Sequence, residues 1–232
     1  MTKRLDLIFN GKGGVGKSFF AVNFVQYLKD KNCPFTACDC DNENSTLKRF
    51  HGESVLFLDL SHPRGLDAMI HALDKTDLVV VDCRAASTDV FFNYFDEIDL
   101  GATLKDLTAA LTLIAPINQD ADSIDQLQRV TDKLGNACSY VVLRNTVHNE
   151  NFTLFDKTII RKRLLKELGA KEITMSKLYP WLVEELSHQN LTVTNAIAAG
   201  CTHLLDRRRL ETWRTKFYGQ VELASDLLLP IK

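Results

Sequence analysis

No run of the 232-residue chain approaches the roughly 18 consecutive apolar residues of a membrane-spanning helix, so a helical integral membrane protein is excluded. Neither sign of charge dominates. With 28 Lys and Arg against 30 Asp and Glu the net charge is −2, which excludes a wholly cationic nucleic-acid binder but leaves room for a local basic face. Six cysteines, at 33, 38, 40, 83, 138 and 201, include no C-x-x-C pair of a zinc or redox site. The first residues carry no apolar core of export-signal length, so the expectation is a cytoplasmic protein with reduced, core-packed thiols. Eleven glycines, five prolines and 25% charged residues are too few or too mixed for a collagen-like, low-complexity or disordered chain. What remains is 45% hydrophobic and long enough to bury a core without staples.

Short apolar runs alternate with longer amphipathic stretches. Residues 5–10, 35–39, 55–59, 78–82, 110–115 and 140–143 predict buried strands. Residues 17–31, 65–73, 88–96 and 123–134 predict helices, the last placing Ile124, Leu127, Val130, Thr131 and Leu134 on one face. Strands that are continuously apolar, each followed by a helix, predict an α/β fold whose mostly parallel sheet is covered by helices on both faces. Beyond residue 150 the pattern turns helical, at 158–168, 180–189 and 204–223, with one more strand at 172–175. No Pro/Gly/Ser-rich linker or internal repeat interrupts the chain. The expectation is therefore one domain over 1–232, a core half 1–150 and a helical half 151–232 on the same sheet.

The strongest local signal is Gly11-Lys12-Gly13-Gly14-Val15-Gly16-Lys17-Ser18, which satisfies G-x-x-x-x-G-K-[ST] between a predicted strand and a predicted helix. Its glycines let backbone N–H groups turn inward as an anion nest, and the helix N-terminus adds partial positive charge. Lys17 is placed for β- and γ-phosphates and the Ser18 hydroxyl for a magnesium ion. Phe19, next in the chain, is counted with the nucleotide contacts. Asp82 ends the 78–82 strand, where a carboxylate holding the metal or its waters is expected. Asp39-Cys40-Asp41-Asn42 ends the second strand.

The segment Lys12-Gly13-Gly14-Val15-Gly16-Lys17-Ser18 resembles the deviant Walker A signature of the ParA/MinD ATPases. That resemblance implies a three-layer P-loop NTPase that binds ATP with Mg2+, yields ADP, and closes as a nucleotide-sandwich homodimer. It implies that Lys12 reaches across to the partner's phosphates, that Asp41 positions the attacking water, and that Asp39 supports the metal shell. It also implies a base-reading role for Asn145 after the 140–143 strand. The family's second base-contacting loop falls near 177–181, where Pro180 is out of step and no single residue is assigned. Two departures stand out: Asn42 replaces the proline after D-x-D, and Cys83-Arg84-Ala85-Ala86 replaces the usual small-residue–proline segment behind Asp82. The second switch is thus unusual, and hydrolysis is expected to be slow and partner-stimulated.

Two basic clusters, Arg161-Lys162-Arg163 and Arg207-Arg208-Arg209, lie in predicted C-terminal helices, where ParA-like proteins carry a nonspecific DNA surface. They equally suit solvated helix faces paired with Glu167, Glu211 and Asp206. No aromatic residues are interleaved with them in sequence. The last residues carry two acids and Pro230, unlike a basic membrane-surface helix, so no membrane contact is expected. An iron–sulfur site is disfavoured by the placement of Cys83 and Cys138, and an amidase or synthetase of the dethiobiotin-synthetase type by Lys12. The resulting expectation is a ParA-like ATPase that switches binding to DNA or a partition-type adaptor protein, in partition or in maintenance or transfer of mobile elements. It is cytoplasmic, with nucleoid association left open. The alternative is a nucleotide-gated adaptor that recruits a protein with little or no hydrolysis.

Overall fold

The computed structural model describes residues 2–42, 44–200 and 203–231, and Cys201 lies outside them. Seven strands, β1 (Lys3–Ile8), β2 (Thr36–Asp39), β3 (Leu56–Phe57), β4 (Leu78–Asp82), β5 (Ala109–Ile117), β6 (Ser139–Asn145) and β7 (Lys171–Met175), make one sheet in the order β3-β2-β4-β1-β5-β6-β7. Every pairing is parallel. Because successive side chains point to opposite faces, a strand that is apolar throughout must be covered twice. In β4, Val79 and Val81 join Leu5, Leu7 and Phe9 in one core, while Leu78 and Val80 join Ile8 and Ala37 in the other.

The first core is roofed by α3 (Pro63–Lys75), α4 (Thr88–Glu97), α5 (Leu100–Asp106), α6 (Ala121–Leu134), α7 (Thr153–Asp156) and α8 (Ile159–Lys166). The second is roofed by α1 (Lys17–Asp30), α2 (Thr46–His51), α9 (Pro180–Gln189), α10 (Val193–Ala199), α11 (Leu204–Leu223) and α12 (Ser225–Leu228). The helices after residue 150 thus lie on the same sheet as those before it. Five of these helices, α2, α5, α7, α10 and α12, have four to seven residues, too short for a 3.6-residue period to register in the sequence. The strand expected over 55–59 shrinks to the two residues of β3, an edge with one neighbour whose Leu56 and Phe57 are both exposed. Cys38, Cys40 and Cys83 are buried thiols as expected, whereas Cys33 and Cys138 are half-buried.

One buried group works against the fold. Asp6, in the middle of β1, is fully buried, and neither carboxylate oxygen has a hydrogen-bond partner. Burial pushes its pKa well above the ordinary carboxylate value; neighbouring Arg4 and Thr112 only ease this. Both neighbours are tied to the C-terminal segment. Arg4 donates to the backbone oxygens of Asp226 (2.8 Å) and Leu229 (3.4 Å), and Thr112 to that of Leu227, so residues 225–231 are clamped across the sheet. The folded state holds the Asp6 proton more tightly than the unfolded chain does. Its stabilising effect is complete below about pH 4 and is lost as pH rises toward the folded pKa. Asp6→Asn removes that titration, so its Tm advantage over wild type is expected to grow from pH 4 to pH 8 in thermal melts. A pH-independent difference would contradict an unpaired, proton-holding Asp6.

Candidate functional site

β1 occupies the middle of the sheet, with β4 on one side and β5 on the other. The chain leaves β1 for β2 in one direction and later returns to β5 in the other, so a crevice opens at the carboxyl ends of these strands. The glycine-rich loop fills it. Gly14 (φ +75°) and Gly16 (φ +98°) hold left-handed backbone, and a Cβ on Gly16 would stand 2.4 Å from Asn145 Nδ2 and 3.0 Å from Met175 Cε. Glycine at 16 is therefore required twice over, by conformation and by space.

The loop is braced from below by two asparagines. Asn10 donates from Nδ2 to the backbone oxygens of Pro116 (2.9 Å) and Ser123 (3.0 Å), and its Oδ1 accepts from the Lys12 N–H (2.9 Å). Asn145 donates to the Val15 oxygen (2.9 Å) and accepts from the Val147 N–H (3.1 Å). The side chain expected to read a base is thus committed to the loop and its own turn. Nothing in the sequence marks Asn10 out, because a strand-end Asn is an ordinary turn signal.

Lys17 is buried, with Nζ donating to the backbone oxygens of Asn10 and Lys12, both at 2.8 Å. Burial lowers its pKa, and the nearby Asp82 carboxylate pulls the other way. Lys17, Ser18, Asp41, Asp82 and Arg84 line one cavity of about 290 Å³, and Phe19 borders it. In register Asp39 pairs with Asp82, and Asp82 with Ile8, so the expected carboxylates do converge on the loop. Their roles separate. Asp39 accepts the Asp41 N–H (2.9 Å) at Oδ1 and those of Leu47 (3.0 Å) and Lys48 (3.4 Å) at Oδ2. It anchors the turn that carries Asp41. Asp41 accepts from the backbone N–H of Asn44 (3.2 Å) and faces the cavity.

Asp82 is buried, with Oδ1 lacking any partner, and burial drives its pKa up to about 7. An orphaned carboxylate oxygen beside a serine hydroxyl is the hard, oxygen-only donor set that Mg2+ takes, so the residues present fit that ion.

Lys12 does not point into the cavity. Its Nζ bonds Asp122 Oδ2 of α6 at 2.7 Å, within the same chain. The basic clusters are largely paired too. Arg161 bonds Glu172, Arg163 bonds Asp132, Arg207 and Arg208 share Glu211, and Arg209 bonds Asp206. Among the described residues only Lys162 of the six has no carboxylate within ion-pair distance. The two clusters also lie on opposite faces of the sheet, since α8 covers one core and α11 the other. They do not merge into one surface. Cys83 follows the carboxyl end of β4 and Cys138 precedes the amino end of β6, so the two are at opposite ends of the parallel strands.

The sequence model of the CobQ/CobB/MinD/ParA nucleotide binding domain matches residues 7–177, the span that contains this loop and its carboxylates. The chain belongs to that family. Among curated relatives, Protein MobD of Acidithiobacillus ferrooxidans is 26% identical over 93% of this chain and 95% of its own length. A Protein TraL of Escherichia coli is 21% identical over 97% of this chain and 99% of its own. Among solved structures, the septum site-determining protein MinD of Pyrococcus horikoshii, complexed with Mg-ADP, superposes with a TM-score of 0.55 at 16% identity over the full length of both chains. A Cyanothece McdA variant in complex with ATP gives 0.54 at 14% identity over 100% of this chain and 99% of that one. These likenesses carry the fold: a MinD-like P-loop NTPase. No helix among the described residues is long and apolar enough to cross a membrane.

Proposed function

We propose that the protein is an ATP-dependent molecular switch. The observation that carries this is the convergence, in one cavity, of a buried lysine inside a left-handed glycine loop with Asp82 at a strand end and Asp41 on the turn after β2. The triphosphate lies in the loop, where the ammonium of Lys17 exchanges its bonds to the Asn10 and Lys12 oxygens for phosphate oxygens. Ser18 and Asp82 would hold a magnesium ion, which would supply charge neutralisation to the phosphates. Asp41 orients the attacking water, on a turn that Asp39 holds in place.

Two copies close face to face. Lys12 then leaves Asp122, whose carboxylate is 68% exposed, so the exchange breaks only a water-screened surface ion pair. Facing a transferring phosphoryl group, the same ammonium stabilises the developing charge in the manner of an arginine finger. Membership of the family whose description includes ParA supports reading the closed dimer's partner as a protein adaptor or DNA, in transfer, maintenance or partition of mobile elements.

Size-exclusion chromatography with light scattering tests the cycle. Wild type with Mg-ATP is expected to populate a dimer transiently, Asp41→Ala to accumulate it, and Lys12→Ala to stay monomeric while binding ATP. Monomers throughout, with ATP bound, would refute the sandwich. Stable dimers without turnover, even with DNA or partner added, would instead favour the adaptor reading.

A further inference from the structure

Residues 83–87 carry the chain from β4 into α4 alongside the phosphate loop. Their backbone is tied down throughout. The Cys83 N–H donates to the Ile8 oxygen (3.2 Å), the Ala86 N–H to the Gly11 oxygen (3.0 Å), and the Ser87 hydroxyl to the Arg84 oxygen (2.6 Å). Ala86 stands at φ +56°, a left-handed conformation that a residue with a Cβ keeps only where its surroundings hold it there. A Cβ on Gly13 would lie 3.9 Å from the Ala85 Cβ, so turn and loop are within van der Waals reach. This is the same segment, Cys83-Arg84-Ala85-Ala86, in which the sequence departs from the family pattern.

Arg84 is the cation of that turn, and it lines the cavity together with Lys17, Ser18, Asp41 and Asp82. It is exposed. Every arginine ion pair among the described residues is made by another arginine, so neither carboxylate of the cavity holds the Arg84 guanidinium. A bound triphosphate would add its charge to that of Asp41 and Asp82, and Lys17 with one divalent ion does not balance the sum. Lys12 is engaged with Asp122 in the single chain. Among the described residues, Arg84 is the remaining cation that lines the cavity.

We propose that Arg84 reads the terminal phosphate of ATP bound in its own chain, so that one subunit distinguishes ATP from ADP before any dimer forms. The neighbours assign it to that phosphate. Arg84 comes two residues after Asp82 and shares the cavity with Asp41, the groups given to the metal and the attacking water. A planar guanidinium fork matches two phosphate oxygens at once and keeps its charge across the working pH range. Supplied in cis, it also offsets the charge that develops during phosphoryl transfer. Its rigid backbone delivers the side chain to the cavity without a rearrangement of the turn. This inference rests on the reading of the loop as an ATP site and adds a residue that acts within one chain, where Lys12 acts between two.

Titration calorimetry with Mg-ADP and with a non-hydrolysable Mg-ATP analogue decides it, at protein concentrations where light scattering finds monomers. In Arg84→Ala the affinity for the analogue is expected to fall about tenfold or more, the scale of one lost charge-assisted contact, while that for ADP changes less than about twofold. Arg84→Lys keeps the charge without the fork and is expected to recover part of the loss. Unchanged ADP binding also reports that each variant is folded. Arg84→Gln, which keeps most of the side-chain stem, is expected to show the same selective loss and serves if the alanine variant fails to fold. Equal losses for ADP and analogue in a folded variant would overturn the proposal, since a contact to the terminal phosphate cannot weaken ADP. Unchanged affinity for both would overturn it as well. If dimerisation at higher concentration is then lost, Arg84 belongs to a carboxylate of the second copy instead. Failure of the switch reading shows separately, as wild type binding neither nucleotide, and that result removes both.

Discussion

Lys17→Ala is expected to weaken ATP binding at least a hundredfold in titration calorimetry, with a change in Tm of only a few degrees. The size of the loss follows from what the ammonium does. Buried in the loop, it holds two backbone oxygens at 2.8 Å and stands beside Asp82. Charge-assisted hydrogen bonds contribute about 1.5–3 kcal/mol each, so losing two to phosphate oxygens accounts for at least that factor. Alanine also leaves the nest's only buried cation missing where the phosphates' negative charge collects. Lys17→Arg is expected to fail nearly as badly. The guanidinium is planar and larger, and the site between Asn10 and Lys12 is shaped for a compact tetrahedral donor. ATP affinity near wild type in either variant, with the fold intact by circular dichroism, would mean that the loop is not the phosphate site.

Much of this architecture is legible in the sequence. The β4 run is apolar at every position until Asp82, which announces a strand covered on both faces and a polar end at the crevice. The loop signature sits between a strand and a helix, so its conformation and its chemistry point the same way. What was not legible is pairing across long separations. Nothing near Lys12 in the sequence indicates that Asp122, on another helix, holds its ammonium. Asp39 and Asp41 are two residues apart, yet the first faces the N–H groups of α2 and the second the cavity, because the side-chain alternation of a strand does not continue past its end. Nor does the sequence show that the glycine at 16 lets the Asn145 amide approach within bonding distance of the loop. The same limit explains the two basic clusters. Their composition was evident, but their assignment to opposite faces depends on which helices cover which core.

Asp82→Asn is expected to separate function from stability most sharply. In the nucleotide-free protein burial raises this carboxyl to about 7, with Asp39 and Asp41 adding to the effect and Ser18 and Lys17 opposing it. The ionised form is the one that holds a cation. The gain in ATP affinity on adding Mg2+ should therefore be full above pH 7 and fall about tenfold per unit below it, since one proton competes with the ion. In Asp82→Asn that gain disappears at every pH. Stability moves the other way. With a folded pKa above the unfolded value, wild type is most stable below about pH 4 and loses stability up to pH 7, after which the cost is constant. Asparagine does not titrate, so the nucleotide-free variant should be the more stable protein at pH 7, by at most about 4 kcal/mol on the linkage relation. Thermal melts from pH 4 to pH 8, with and without Mg-ATP, resolve both effects. The variant's Tm should exceed wild type's without ligand and fall below it with ligand. A variant that is less stable without ligand at pH 7 would show that Asp82 is paired within the folded chain, and that its orphaned oxygen is not reserved for a metal.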